Sequence, residues 1–416
     1  MPRNTGAGGE HGFSPQAIMF HEYTHHWMLT SWADAALPAW YSEGAAEFHA
    51  TAQIRPDGSV LFGATPTWRM YGIDMFKNMM PVHDLLRAVP GQLGSEQSEA
   101  LYARGWLLTN YLTMDADRRK QLAAYIGAVN AGKSIDESAA LLGNISDLRL
   151  DSYARQPKWP SILIPADKLV VGAVTVRALT PGEAAAMPAV IRSRSGVGKT
   201  TAPAVLTLAR RAAAAMPDDP AVLNELAEAE YDAASFQPIA AAGAGYARAE
   251  AAADRVLAAD PKSVHALLYK GMAREAAATD AGKTDPATWA AIRRWYIGAN
   301  RADTENAEPL LAFYDSFAAA GQAPTPAAAN GALYAYALAP HDSGARLAAT
   351  EVLLGQGKLP QARTAFAPLA YNGEGKSKDL ADILARIDAG DGAGALAAIR
   401  ALRAKGDAAR AKARGA

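Results

Sequence analysis

The sequence predicts a mainly α chain in three parts: a small α+β domain over residues 1–155, a connector with short strands over 156–198, and an α-helical-repeat domain over 199–416. Three observations carry this expectation. Residues 15–53 hold two helix-length stretches carrying residue types that bind metal. Short β-branched runs near 53–62 and 159–179 are bounded by turn residues. From about Thr200 the chain is rich in alanine, and similar turns divide it at near-regular intervals.

A chain of 416 residues exceeds one ordinary core, which favours two or three domains. Apolar residues make up 50% and charged ones 20%, the balance of a globular protein rather than a disordered one. Formal net charge is −1, so no overall field favours nucleic acid or an anionic membrane. The basic, alanine-rich end from Arg403 to Arg414 reads as a frayed helical tail, not as a nucleic-acid contact. There is no cysteine, which excludes disulfides, thiolate metal sites and a cysteine nucleophile. No window approaches the ~18 consecutive apolar residues of a membrane span, so no transmembrane segment is expected. The first residues lack the basic-then-apolar pattern of a signal peptide. The compartment stays open on these grounds.

Ser14 and Pro15 form a helix start, since proline at the first helical position gives up no needed N–H. A helix is expected over Pro15–Ser31, and a second from Ala39 to about Gln53. Arg55-Pro56-Asp57-Gly58 is a turn between Gln53–Ile54 and Val60–Phe62, a short hairpin. Helices are expected at Ser98–Met114, Asp117–Val129 and Ile135–Leu142. Trp159–Ile164 and Leu169–Leu179 read as strands, and Thr180-Pro181-Gly182-Glu183 as a capping box that opens a short helix. Beyond Thr200, Asp219, Asp260, Asp303 and Asp342 mark turns at intervals of 41, 43 and 39 residues.

The chemistry concentrates in His21-Glu22-Tyr23-Thr24-His25. On a helix, positions i and i+4 share a face, so His21 and His25 can direct two imidazoles at one ion, with Glu22 about 100° round from His21. Glu43 follows eighteen residues after His25, inside Trp40-Tyr41-Ser42-Glu43-Gly44-Ala45-Ala46-Glu47-Phe48. These residues resemble the gluzincin metallopeptidases, whose signature is HExxH followed one helix later by a glutamate in such a context. The resemblance is greatest to peptidase MA-like bacterial proteins that join this domain to tetratricopeptide repeats. It implies a Zn2+ cofactor held by His21, His25 and Glu43, with an open fourth position for water. It implies further that Glu22 is the general base and that Glu47 accepts the free N–H of His21. Glu47 reads otherwise as a surface carboxylate. Leu101-Tyr102-Ala103-Arg104-Gly105 resembles the segment whose tyrosine donates to the oxyanion in gluzincin aminopeptidases, which makes Tyr102 a catalytic candidate. The other reading of Tyr102 is a packing residue at a helix start.

Arg248–Asp260, Leu267–Ala276 and Gly355–Ala367 resemble tetratricopeptide helices, although that repeat's usual period is ~34 residues. Alanine-rich helices without a repeat are the other reading. His26 and His49 lie off the ligand face, His83 and His11 have no partner at ligand spacing, and Arg104 reads as a solvated helix arginine. Ser193–Thr200 only partly matches a phosphate-binding loop, because Ser193 stands where glycine is required and no strand precedes it.

The resemblance implies a peptide or protein substrate, a protein partner on the repeats and, from the related bacterial proteins, extracytoplasmic (periplasmic) action. Only about twenty residues precede His21, little room for the strands that precede HExxH in that family, so the domain is expected to be truncated or reduced. Three functions follow: a zinc metallopeptidase; a catalytically impaired zinc domain on a helical-repeat, protein-binding scaffold; and a zinc hydrolase of another amide or ester. The presence of Glu22 favours activity.

Overall fold

The computed structural model of the chain describes residues 14–75, 77–372 and 378–415. Helix α1 (Pro15–Ser31) starts as its sequence directs, with the Ser14 hydroxyl accepting the Ala17 N–H. The chain turns through Trp32–Pro38 into α2 (Ala39–Ala50), and this turn is pinned from a distance. Asn130 accepts the Ala36 N–H at 2.8 Å and donates to the Ala36 carbonyl at 3.1 Å.

Strands β1 (Gln53–Ile54) and β2 (Val60–Phe62) form the expected hairpin, in the register Gln53↔Leu61 and Ile54↔Val60. Short helices α3 (Met70–Met75) and α4 (Val82–Leu86) follow. Then come α5 (Ser95–Thr113), α6 (Ala116–Asn130), α7 (Ile135–Ala139) and α8 (Asp147–Ala154). Strand β3 (Ile162–Ile164) returns to pair antiparallel with β2, giving a three-stranded sheet in the order β1-β2-β3.

The alanine-rich part contains α9 (Pro181–Arg194), α10 (Ala202–Ala215), α11 (Pro220–Ser235), α12 (Ile239–Ala259) and α13 (Val264–Asp280). It continues through α14 (Pro286–Ala302), α15 (Ala307–Ala319), α16 (Pro326–Leu338) and α17 (Ser343–Gly355). Helices α18 (Leu359–Asn372), α19 (Lys378–Asp388) and α20 (Gly392–Ala413) end the chain. The protein is mainly α. No described helix is long and apolar enough to cross a membrane.

Two compact units result, and each takes two stretches of chain. The first combines the chain up to Ala173 with Gly357–Ala395; the second combines Val174–Gln356 with Leu396–Ala416. These divisions differ from the expected boundaries at 155 and 198. Of the stretch 156–198, β3 completes the sheet of the first unit, whereas α9 opens with the Thr180/Glu183 capping box and packs on α10 and α11. Residues Leu169–Leu179 are no strand. Val170, Val174 and Val176 are 98%, 78% and 88% exposed, because no described strand lies alongside to complete a ladder.

In the first unit Trp40, Leu101, Trp106, Leu107, Tyr125 and Trp159 form the centre of the core. Trp40 donates from Nε1 to the Tyr125 hydroxyl at 3.1 Å. Tyr371 of α18 packs against this core, and Arg363 donates to the Asn130 carbonyl at 2.8 Å.

In the second unit each helix from α9 to α17 packs on its neighbour in the chain, and α9, α11, α13, α15 and α17 also touch in series. The turns marked by Asp219, Asp260, Asp303 and Asp342 fall between successive helix pairs, so the two-helix unit is real. The interfaces are built from small residues such as Ala227, Ala229, Ala252 and Ala253. The basic end is not frayed. It belongs to α20 and the turn that follows: Arg403 pairs with Asp315 at 2.9 Å, and Arg414, just past the helix, with Asp280 at 2.6 Å.

One contact decides where the functional candidates stand. Helices α2 and α5 meet at Gly44 and Gly105, where a Cβ on Gly44 would lie 2.3 Å from the Gly105 carbonyl oxygen. Gly44→Ala must therefore push two backbones apart. It is expected to cost about 1–3 kcal/mol, the usual range for overpacking. A urea titration followed by tryptophan fluorescence checks this; an unchanged midpoint would contradict so close a crossing.

Candidate metal centre

Helix α1 brings His21 and His25 to one face, and α2, packed on both α1 and α5, brings Glu43 up to them. The two Nε2 atoms are 3.2 Å apart, and Glu43 Oε2 is 3.4 Å from each. Among the described residues this is the one group of three His, Asp or Glu donors that converges within metal-binding range. Three corners of a tetrahedron with arms of about 2.0–2.1 Å stand roughly 3.3–3.4 Å apart. The spacing also exceeds the ~2.9 Å usual for a direct N–H···O bond. Two imidazoles and a carboxylate of this spacing fit a tetrahedral divalent ion.

The remaining ring nitrogens are also engaged. His25 Nδ1 is 3.3 Å from the Ser42 hydroxyl, and His21 Nδ1 is 3.3 Å from Glu47 Oε1. Glu47 is no surface carboxylate, for it is fully buried. Trp68 Nε1 donates to its Oε2 at 2.9 Å, and Arg69 Nη2 to its Oε1 at 2.6 Å. Arg69 reaches on to Glu99 at 2.7 Å and lies over the Tyr102 ring at 4.7 Å. Ser42, Trp68 and Arg69 carry no spacing signal and escape a reading of the sequence.

Electrostatics follow from this packing. Burial disfavours charge on His21, but the neighbouring carboxylates of Glu43 and Glu47 outweigh it and raise the imidazole to about 9. For Glu43 burial likewise opposes charge, yet His21 and His25 hold it down at about 2. Glu47 is lowered against its burial by His21 and Arg69. Tyr102 stands with its ring 6.0 Å from that of His21. Burial first, and then the charge of Glu43, push its phenol up to about 12, which keeps it a hydrogen-bond donor near neutral pH. Glu22 is exposed on α1 beside His21.

The other residues considered lie elsewhere. His49 donates from Nδ1 to the Ala45 carbonyl at 2.8 Å, and burial lowers its pKa. His26 is exposed with its ring 5.9 Å from that of Tyr23, and His83 pairs with Asp84 at 2.9 Å. His11 is outside the described residues. Arg104 is not solvated. It is fully buried, and its guanidinium ties α5 to Asp147 and Asp151 on α8 at 2.7 and 3.0 Å. The loop resembling a phosphate-binding motif follows helix α9, and the Ser193 hydroxyl donates to Glu228 instead.

No protein-family model matches the chain, and comparison with curated proteins gives no match. Among solved structures, a thermophilic TPR protein of Thermus thermophilus is similar at 20% identity. The likeness covers 50% of this chain and 98% of that one, with a TM-score of 0.38. The helix pairs described above are defined by this chain's own packing.

The network around Glu47 yields a direct test. Arg69→Met removes the cation paired with a buried carboxylate, a loss that typically costs about 3–5 kcal/mol. A drop of that size in the urea-unfolding free energy is expected. Stability equal to the parent would mean that Glu47 is not buried against Arg69.

Proposed function

We propose that His21, His25 and Glu43 hold a zinc ion and that the first unit hydrolyses peptide bonds. The observation carrying this reading is the spacing of the three donors, 3.2, 3.4 and 3.4 Å. It joins the HExxH order of the sequence, in which Glu22 neighbours a ligand. A bound zinc ion would supply Lewis-acid chemistry, drawing the pKa of water towards 7.

The chain's own residues would do the rest. Glu22, exposed beside His21, takes a proton from the attacking water and returns it to the leaving amine. The Tyr102 hydroxyl donates to the carbonyl oxygen of the scissile bond as it gains charge. Glu47, itself held by Trp68 and Arg69, fixes the ring of His21 so that Nε2 faces inward.

A second reading is favoured by the architecture. The row formed by α9, α11, α13, α15 and α17 is a scaffold of the kind on which helical-repeat proteins bind other proteins. On that reading the zinc domain is catalytically impaired and the repeats carry the function.

Metal content and cleavage separate the two. Protein purified without added metal or chelator is expected to carry about one zinc per chain, and Glu43→Ala far less. Peptide-library cleavage should be lost in Glu22→Gln, and Tyr102→Phe should lower kcat by roughly 10²–10³-fold. No zinc uptake at micromolar metal would end the hydrolase reading. Zinc without cleavage would leave the scaffold.

A further inference from the structure

Arginines pair with several acids of the second unit. Glu230 on α11 receives Arg210 and Arg248 at 2.7 and 2.8 Å. The chain's own α20 and the turn after it supply three more. Arg400 and Arg403 pair with Glu351 on α17 at 3.2 and 3.4 Å, Arg403 also reaches Asp315 on α15, and Arg414 grips Asp280 of α13. Three helices of that row, α13, α15 and α17, thus already accept guanidinium groups from a basic segment.

On α11 one set of acids is only partly answered. Glu225, Glu228 and Asp232 are spaced to share one face. Glu225 and Glu228 are only 6% and 4% exposed. Among the described residues, Glu225 Oε1, Glu228 Oε2 and Asn224 Oδ1 are buried without a hydrogen-bond partner. Glu228 Oε1 accepts from Ser193 at 2.5 Å. The nearby cationic groups do not neutralise the set. Arg194 is 4.0 Å from Glu228 and 68% exposed, and His265 Nε2 lies 3.5 Å from Glu228 but 3.1 Å from the Asn224 carbonyl. Glu308 adds further negative potential at His265. Burial, and then Glu228, push the Glu225 carboxyl up to about 8. Burial and Glu228 likewise raise Asp232 to about 6.

Burial makes charge on these acids costly, so that Glu225 keeps its proton near neutral pH, and an incoming cation that pairs with the set offsets that cost. A single metal ion is a poor match, because these donors do not converge as His21, His25 and Glu43 do. A guanidinium is a better one: five N–H donors in a planar fork can reach two carboxylates and an amide oxygen together. We propose that Glu225, Glu228 and Asp232, flanked by Ser193 and His265, form a binding site for an arginine side chain presented by a partner peptide. This rests on the scaffold reading of the repeats, names the chemistry of the partner, and is independent of zinc.

The test is binding of the fluorescent peptide Ala-Ala-Arg-Ala-Arg-Ala-Ala to the full chain by anisotropy, beside its norleucine counterpart and free arginine amide. The arginine peptide is expected to bind at least about ten-fold more tightly than either. Glu225→Gln/Glu228→Gln should remove that preference, whereas Glu305→Gln, at an exposed position, should leave it. Asp232→Asn, at a half-buried position, is the second variant should the double one fail to fold, as read by circular dichroism. Equal binding by the double variant and the parent, or by the norleucine peptide, overturns the site. Arginine amide binding as tightly as the peptide overturns the peptide partner. An array of unrelated peptides separates the two failures: binders without arginine preference keep the scaffold reading alone, and no binder at all removes both.

Discussion

The candidate metal centre depends on how closely two helices can approach. Glu43 and Glu47 lie on α2, Tyr102 lies on α5, and the two helices cross where neither Gly44 nor Gly105 has a side chain. With the backbones this near, Glu43 comes within 3.4 Å of both imidazoles while Tyr102 stands beside His21. A larger residue at either position would separate the ligand from the hydroxyl. Backbone approach is a property of glycine that no rotamer change elsewhere can restore.

The first unit places charge deep inside and pays for it with pairing. Glu47 is fully buried, but Arg69, Trp68 and His21 surround it, and Arg69 is shared with Glu99. Arg104 is equally buried and binds two aspartates of α8. Such groups contribute orientation more than net stability, because desolvation offsets most of the attraction. The set on α11 in the second unit departs from this rule, which is why it stands out as a site rather than as a strut.

Much of this was legible in the sequence where local rules decide. Helical periodicity turns the spacing of His21, His25, Glu43 and Glu47 into geometry once α1 and α2 pack together, and Ser14, Pro15 and Thr180 mark helix starts by capping alone. The rest required partners distant along the chain. Trp68 and Arg69 meet Glu47 through a short 3-10 turn with no periodicity to announce it. A mid-helix arginine such as Arg104 reads as solvated until α8 closes over it. Val170–Val176 have strand propensity, but propensity without a neighbouring strand makes no ladder. The basic end looked frayed because the acids that hold it, Asp315 and Asp280, lie 88 and 134 residues away.

The first unit is assembled from two separate stretches, and this has a consequence for synthesis. The ribosome releases the candidate metal ligands first, whereas Tyr371 and Arg363, which pack on that unit, emerge only after the whole run from α9 to α17. The part that begins first is therefore completed only after α9–α17 have been made. During translation its core surface under α18 stays uncovered while some two hundred residues are added, a window in which a nascent chain is most open to chaperones and to misassociation. Order of synthesis and order of completion run in opposite directions in this protein.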